Sequence, residues 1–371
     1  MDHIIFASTV YTGSSVLYNQ LIQIKNGRIT GINPGNKTDG IISVHSISSG
    51  FTDIHINGGS HLHFTKNPEV ASVRDIDNSC SALGTAYSLP SLITSPLENI
   101  IKGIEAIKNY QQQHPNGGVL GMHLEGPFIN PLKRGAHLLK YIRLPTDGEL
   151  KEIIHHGKDI IKVMTIAPEL FNHKQLELLL DSGITISAGH SNANFSDASM
   201  AFTQGIHMVT HLYNAMSPFS HRSPGLVGAA FDADQVYTPI IPDGFHVDFA
   251  AIRTAYRLKK DKLILISDAL FTGQKLHHFQ WEEFNASLIN NQYINSEGNL
   301  AGSAISIGEA VHNAVYKVGI PIDQAIEMVT IRPAKALGMD HSLGKIATGY
   351  PARFTVFDDS LKIFKVLNYR D

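Results

Sequence analysis

Six apolar runs in this 371-residue chain finish on side chains able to bind a cation or carry a proton. They are His55 in GFTDIHING, Glu125 in GVLGMHLEG, His190 in GITISAGHS, His211 in HMVTHLYN, His246 in YTPIIPDGFH and Asp268 in KLILISDAL. Glu125 poses the sharpest question, because a carboxylate taken out of water costs on the order of several kcal/mol unless it is paired, hydrogen-bonded or metal-bound. Glu125, His190 and His211 together make the two-imidazole, one-carboxylate set that holds a divalent transition metal and leaves positions open for water and substrate. Asp268, close behind the apolar stretch LILI, suits a group that takes a proton from activated water and returns it to a leaving group. A helix N-cap is the competing role for an aspartate after a strand, and spacing leaves both open.

These residues are far apart in sequence, so the elements must bring them together. Two further runs, TAYSLPSLI and IIKVMTIAPE, make eight strand candidates from about residue 50 onward. Between them lie segments of helical period such as EVASVRDIDNSCSALG, LENIIKGIEAIKNYQQQH, HKQLELLLDSG and DFAAIRTAYRLKK, several ending in Gly or a basic residue as helix C-termini do. Eight strand-helix repeats predict an α/β fold, a (β/α)8 TIM-type barrel, in which the carboxyl ends of all strands meet on one face. His155-His156 and His277-His278 lie in polar segments and read as solvated surface. The first fifty residues and the last thirty or so read as short strands with turns, including Asn26-Gly27, a strong hairpin signal.

Composition narrows the class. With 43% hydrophobic and 17% charged residues, the chain has material for a large core and too little charge for disorder. Thirty basic against thirty-three acidic residues, a net charge of -3, predict no nucleic-acid or anionic-membrane footprint. Cys80 is the single cysteine, the first residues lack the pattern of a signal peptide, and no apolar run nears the ~18 residues of a membrane span. A cytoplasmic location is the expectation.

The motifs HLEGPF, GAH, AGHS, THLYNAM, RSPG, DGFHVD, SDA and LAGS occur in this order. The chain therefore resembles the N-acetylglucosamine-6-phosphate deacetylase family of the amidohydrolase superfamily, from about residue 50 to LGKIATGYPARFTVFD near the end. The resemblance implies a barrel over residues 49–343 with a small β-sandwich from both chain ends, residues 1–48 and 344–371. It implies hydrolysis of an amino-sugar phosphate's acetamide to amine and acetate, a metal on Glu125, His190 and His211, and Asp268 as general base and acid. Substrate contacts carried over are Ala136 and His137 of GAH, Asn214 and Ala215 of NAM, and Arg222 of HRSPG. They also include Asp243, Gly244, Phe245 and His246 of DGFH, and Leu300, Ala301 and Gly302 of LAG. In relatives the matching arginine reaches over from a neighbouring subunit, which implies a homodimer.

Two departures stand out. Many amidohydrolases carry His-x-His after the first strand; here His55 is followed two residues on by Asn57, whose amide oxygen is a poorer ligand for zinc or iron. One tightly held divalent metal is therefore expected, zinc or iron ahead of manganese or cobalt, with His55 and Asn57 lining the pocket or weakly holding a second. Residue 49 is Ser where the family has Pro. The same reaction on the galactosamine epimer is the near alternative. A ring-opening amidohydrolase would carry a bridging lysine where IIKVMTIAPE ends in Pro-Glu, and a non-catalytic sugar-phosphate barrel would not need the complete Glu125, His190, His211 and Asp268 set.

Overall fold

The computed structural model describes residues 3–362 and 364–369; the outermost positions of the expected terminal ranges, 1–2 and 370–371, lie outside the described residues. Near the amino terminus, β1 (His3–Tyr11), β2 (Val16–Lys25), β3 (Arg28–Pro34) and β4 (Ile42–Ser49) follow one another. Asn26 and Gly27 turn β2 into β3 with φ of 49° and 70°, the left-handed pair that a two-residue hairpin turn requires.

The next strands alternate with helices. They are β5 (Phe51–Ile56), α1 (Val70–Ala82), β6 (Thr85–Ile93), α2 (Leu97–Gln113), β7 (Met122–Glu125), α3 (Asp147–Gly157), β8 (Ile161–Ile166) and α4 (His173–Leu180). After them come β9 (Thr185–Ala188), α5 (Phe195–Gln204), β10 (Met208–Val209), α6 (Gly225–Asp232), β11 (Thr238–Ile240), α7 (Phe249–Lys259) and β12 (Leu263–Leu265). The helices start where the side chains dictate: Asn172 and Gln175 form a capping box at α4, and Asn194 and Asp248 cap α5 and α7. Strands β5 to β10 make one parallel sheet in consecutive order, and β11 pairs β12 in parallel. Parallel bridges Met208–Tyr237 and Ile56–Ala269 connect that pair to both edges of the larger sheet. Every residue of β5 and β6 is buried, as strands covered on both faces must be.

A three-stranded antiparallel insert follows β12: β13 (His278–Trp281), β14 (Phe284–Ile289) and β15 (Gln292–Ile294). Its start is polar in sequence, and His277 and His278 are exposed, as are His155 and His156. The missed signals are the alternation in FNASLI and the turn at Asn290-Asn291, where both φ values are positive.

The chain closes with α8 (Ile307–Asn313), α9 (Ile322–Glu327), α10 (Ile331–Ala336), β16 (Arg353–Phe357) and β17 (Phe364–Asn368). Both chain ends share one six-stranded sheet in the order β17-β16-β4-β1-β2-β3. That sheet curls until Ile29 and Gly27 hydrogen-bond to the segment before β16, through Ile29 N to Tyr350 O at 2.9 Å and Ala352 N to Gly27 O at 2.9 Å. Its interior is aliphatic, with Ile5, Ile22, Ile24, Ile29 and Ile47 around Phe354.

Candidate metal and catalytic site

The strand ends meet as the sequence predicts. Glu125 is the last residue of β7; His190, His211 and Asp268 follow β9, β10 and β12 by two or three residues, and His55 lies within β5. At His190, His211 and Asp268 the backbone leaves the extended region for φ of 48°, 33° and 47°. Such left-handed conformations cost roughly 1–3 kcal/mol each for non-glycine residues and persist only where the surroundings over-determine them. They also explain why pairing in β10 and β12 stops short of the apolar runs that predict them.

Glu125 Oε1 lies 3.2 Å from His190 Nε2 and 3.1 Å from His211 Nε2, and the two nitrogens are 3.1 Å apart. The proton positions tell what sits between them. His190 Nδ1 donates to the Lys133 carbonyl at 2.8 Å, and burial, followed by the charge of His137, lowers its pKa to about 4, so the ring is neutral and Nε2 bears a lone pair. The His190 lone pair and the anionic Glu125 Oε1, 3.2 Å apart, repel one another unless a cation or a proton lies between them. Separations of 3.1–3.2 Å among one carboxylate oxygen and two imidazole nitrogens suit residues that would share one divalent cation. Glu125, His137 and His190 also form a group with ligand atoms within 4.8 Å of one another. His137 approaches the other carboxylate oxygen, Oε2, at 3.4 Å, so the tighter triangle through His211 is the better ligand set.

Asp268 is not a helix cap. Its Oδ1 accepts from Asn57 Nδ2 at 2.9 Å and lies 3.3 Å from His55 Nε2, which is also 3.3 Å from Glu125 Oε2. Both approaches to His55 Nε2 are too oblique for hydrogen bonds, and Asn57 Oδ1 and His211 Nδ1 are likewise buried without partners. Burial disfavours charge on His55, yet the carboxylates of Asp268 and Glu125 outweigh it and raise its pKa to about 9. Burial pushes Glu125 up, but the charge of His55, together with the contacts of His137, His190 and His211, prevails and holds it well below the ordinary carboxylate range.

A cavity of about 380 Å³ opens over this cluster, lined by Asn57, Ala136, His137, Asn214, Ala215, His246, Asp268, Leu300, Ala301 and Gly302 among others. His55 lies beneath its floor. Asp243 lies outside the lining and holds His246, with Oδ2 2.7 Å from His246 Nδ1; burial raises its pKa, but that contact wins and lowers it. Gly244 and Phe245 make the turn between them, Phe245 being exposed. Arg222 stands exposed in a turn closed by Ser220 and Ser223, away from this chain's cavity.

Several supports escaped sequence reading. Thr94 Oγ1 sits 2.8 Å from His137 Nδ1, and a Cβ at Gly126 would collide with that hydroxyl, so glycine is needed there. Glu169 accepts from Asn130 Nδ2 at 2.9 Å, Ser191 Oγ at 2.6 Å and Asn192 N at 2.7 Å, tying down the loop that aims His190. Burial, with a smaller push from Lys66, lowers His63 to about 3; it lines the cavity and stacks on Phe279 at 4.6 Å. Thr94 and His63 lie outside the family motifs, and Glu169 closes the run IIKVMTIAPE, where nothing local marks its role.

An α/β chain whose buried strand ends converge on one carboxylate and several imidazoles belongs to a recognisable class. Residues 46–370 match the amidohydrolase family, and the chain belongs to it. It is 32% identical over 372 residues to the N-acetylglucosamine-6-phosphate deacetylase of Haemophilus influenzae, covering 98% of this chain and 97% of that one. The crystal structure of the Pasteurella multocida N-acetylglucosamine-6-phosphate deacetylase superposes with a TM-score of 0.93 at 33% identity, covering 99% and 97% of the two chains. An N-acetylgalactosamine-6-phosphate deacetylase of a Shewanella species is 30% identical over 368 residues, 96% of this chain and 92% of its own. The motif resemblance is borne out.

Proposed function

We propose that the chain is a metal-dependent hydrolase that deacetylates N-acetylglucosamine 6-phosphate to glucosamine 6-phosphate and acetate. The observation that carries this reading is the close triangle of one carboxylate oxygen and two imidazole nitrogens, from Glu125, His190 and His211, beside Asp268, in a cavity large enough for a sugar phosphate. We read the parallel strands as a (β/α)8 barrel over residues 49–343, and the curled terminal sheet of 1–48 and 344–371 as the small sandwich.

Glu125, His190 and His211 would hold one divalent cation, zinc or iron suiting imidazole best, with Asn57 lining the floor and His55 beneath it. When bound, that cation lowers the pKa of the attacking water towards ~7 and polarises the acyl oxygen. Asp268, its Oδ1 held by Asn57, takes the water's proton and returns it to the departing nitrogen. His137 and His246, each with Nδ1 engaged, present Nε2 to the carbonyl or sugar hydroxyls. The Asn214 N–H is taken by the His211 carbonyl at 3.0 Å, so Asn214 offers its side chain and Ala215 its backbone N–H, while Leu300, Ala301 and Gly302 close the wall. The exposed Arg222 reaches the phosphate of a partner subunit in a homodimer. No described helix is long and apolar enough to cross a membrane, and one buried cysteine suits a cytoplasmic setting.

Acetate release should be assayed on the glucosamine and galactosamine epimers side by side, before and after chelation. Turnover of the first, lost on metal removal and restored by zinc or iron, is expected. The galactosamine relative makes that epimer the second reading, and a preference for it would replace the first.

A further inference from the structure

The cavity over Glu125 has one apolar flank. Ile93, Leu270, Phe284 and Ala301 belong to a single buried cluster and all line the cavity. Ile93 pairs in register with Glu125, and Leu270 follows Asp268 by two residues, so the flank begins beside the two carboxylates. An acylated amino-sugar phosphate likewise has one apolar part. Its hydroxyls and phosphate keep their hydrogen bonds only among polar groups, whereas the acyl methyl gains from leaving water. The acyl chain therefore points at this flank.

A second cavity, of about 470 Å³, lies behind it. Ala136 and Phe284 line both cavities, and no other residue does. Ala136 contributes a methyl group, so the bulk of the partition is the Phe284 ring, 5% exposed and packed edge-on against Phe279 at 5.7 Å. The second cavity runs between the insert and the segment after β7, which are joined by Arg134–Glu297 at 2.5 Å and Lys140–Glu283 at 2.7 Å. Its lining sets Leu138, Leu139 and Phe284 against Asn285, Asn295, Ser296 and the paired charges of those two bridges, so a short aliphatic chain would lie along the leucine side.

We propose that Phe284 is the septum that sets acyl length: it closes the flank behind an acetyl group, and the cavity beyond receives a longer unbranched acyl chain once the ring is removed. This rests on the amide-hydrolysis reading above and adds a specificity residue and a substrate class to it. Phe284 sits on the insert and supplies no cation ligand, so trimming it should act on the ratio between acyl chains rather than on metal content.

The test compares kcat/KM for N-acetyl-, N-propanoyl- and N-butanoyl-glucosamine 6-phosphate in the metal-loaded wild type, Phe284→Leu and Phe284→Ala. A methylene that does not fit a closed apolar pocket lowers kcat/KM by roughly 10- to 200-fold, so the wild type should fall steeply beyond acetyl. The butanoyl-to-acetyl ratio should rise at least about tenfold in Phe284→Leu and further in Phe284→Ala. Adding Ser296→Trp to Phe284→Leu, which fills the second cavity from its exposed rim, should return the ratio towards wild type. If Phe284→Ala does not fold, Phe284→Leu, which keeps apolar packing, decides. An unchanged ratio in a folded, acetyl-active variant overturns the septum, as does a wild type that takes butanoyl as readily as acetyl. A metal-loaded wild type that hydrolyses none of the three overturns the amide-hydrolysis reading itself and the septum with it.

Discussion

Two buried regions of this chain are built on opposite terms. The terminal sheet encloses Ile5, Ile22, Ile24, Ile29, Ile47 and Phe354, each at most 2% exposed, with the rings of Tyr350 and Tyr369 packed against them. The strand-end region buries His55, Glu125, His190 and His211, none more than 5% exposed, and strains the backbone at three of its residues. In the first, each Å² of apolar surface removed from water stabilises the fold by about 25 cal/mol. In the second, each charge removed from water costs energy that only a cation or a close counter-charge offsets. The contrast separates residues retained for stability from residues retained for chemistry, and substitutions in the two regions should fail in different ways.

The largest effect is expected at Asp268→Asn. Losing the proton carrier should lower deacetylation about 100- to 10 000-fold while metal content, measured by elemental analysis, stays stoichiometric. Near-normal turnover would place the proton transfer elsewhere. Glu169→Ala comes next: with Asn130, Ser191 and Asn192 released, His190 loses its aim, and affinity for zinc in a chelator competition should drop about 10- to 100-fold with little change in kcat once loaded. Unaltered zinc affinity would show that His190 is oriented by Lys133 alone.

His63 blurs the boundary between the regions, being ionisable yet packed like a core residue. Its pKa is lowered to about 3 in the folded chain, from an ordinary 6.5. The unfolded chain therefore binds the proton first as pH falls, and stability declines from about 6.5 downward until the folded state also protonates near 3. In His63→Phe that part of the acid loss should disappear, seen as a shallower fall of denaturation midpoint with pH between those limits. An identical slope would mean that the group is hydrated in solution. The smallest effect belongs to the terminal sheet. Ile22→Val should cost about 0.5–1.5 kcal/mol in chemical denaturation and leave kcat/KM and metal content as they were. A loss of activity there would join the two regions that the chemistry keeps apart.

Legibility followed the same division. The parallel strands were readable because strands covered on both faces are near-continuous apolar runs, and the polar residue ending such a run is conspicuous, as at Glu125 and Asp268. The insert was harder to see. Its strands are short and half exposed, and Phe284 reads as one more aromatic in a polar stretch until Phe279 and the second cavity are placed beside it. Glu169 and Thr94 act on residues distant in sequence, through contacts that carry no local pattern.

The order and type of residues alone determined that His55, Glu125, His190, His211 and Asp268 would stand at strand ends, since period and apolar content act over a few residues. Only the tertiary structure decided which of them share an oxygen, which imidazole nitrogen is left with a lone pair, and which side of the cavity is apolar. Those properties depend on distances and angles between separate strands, set by packing of the whole chain rather than by any stretch of it.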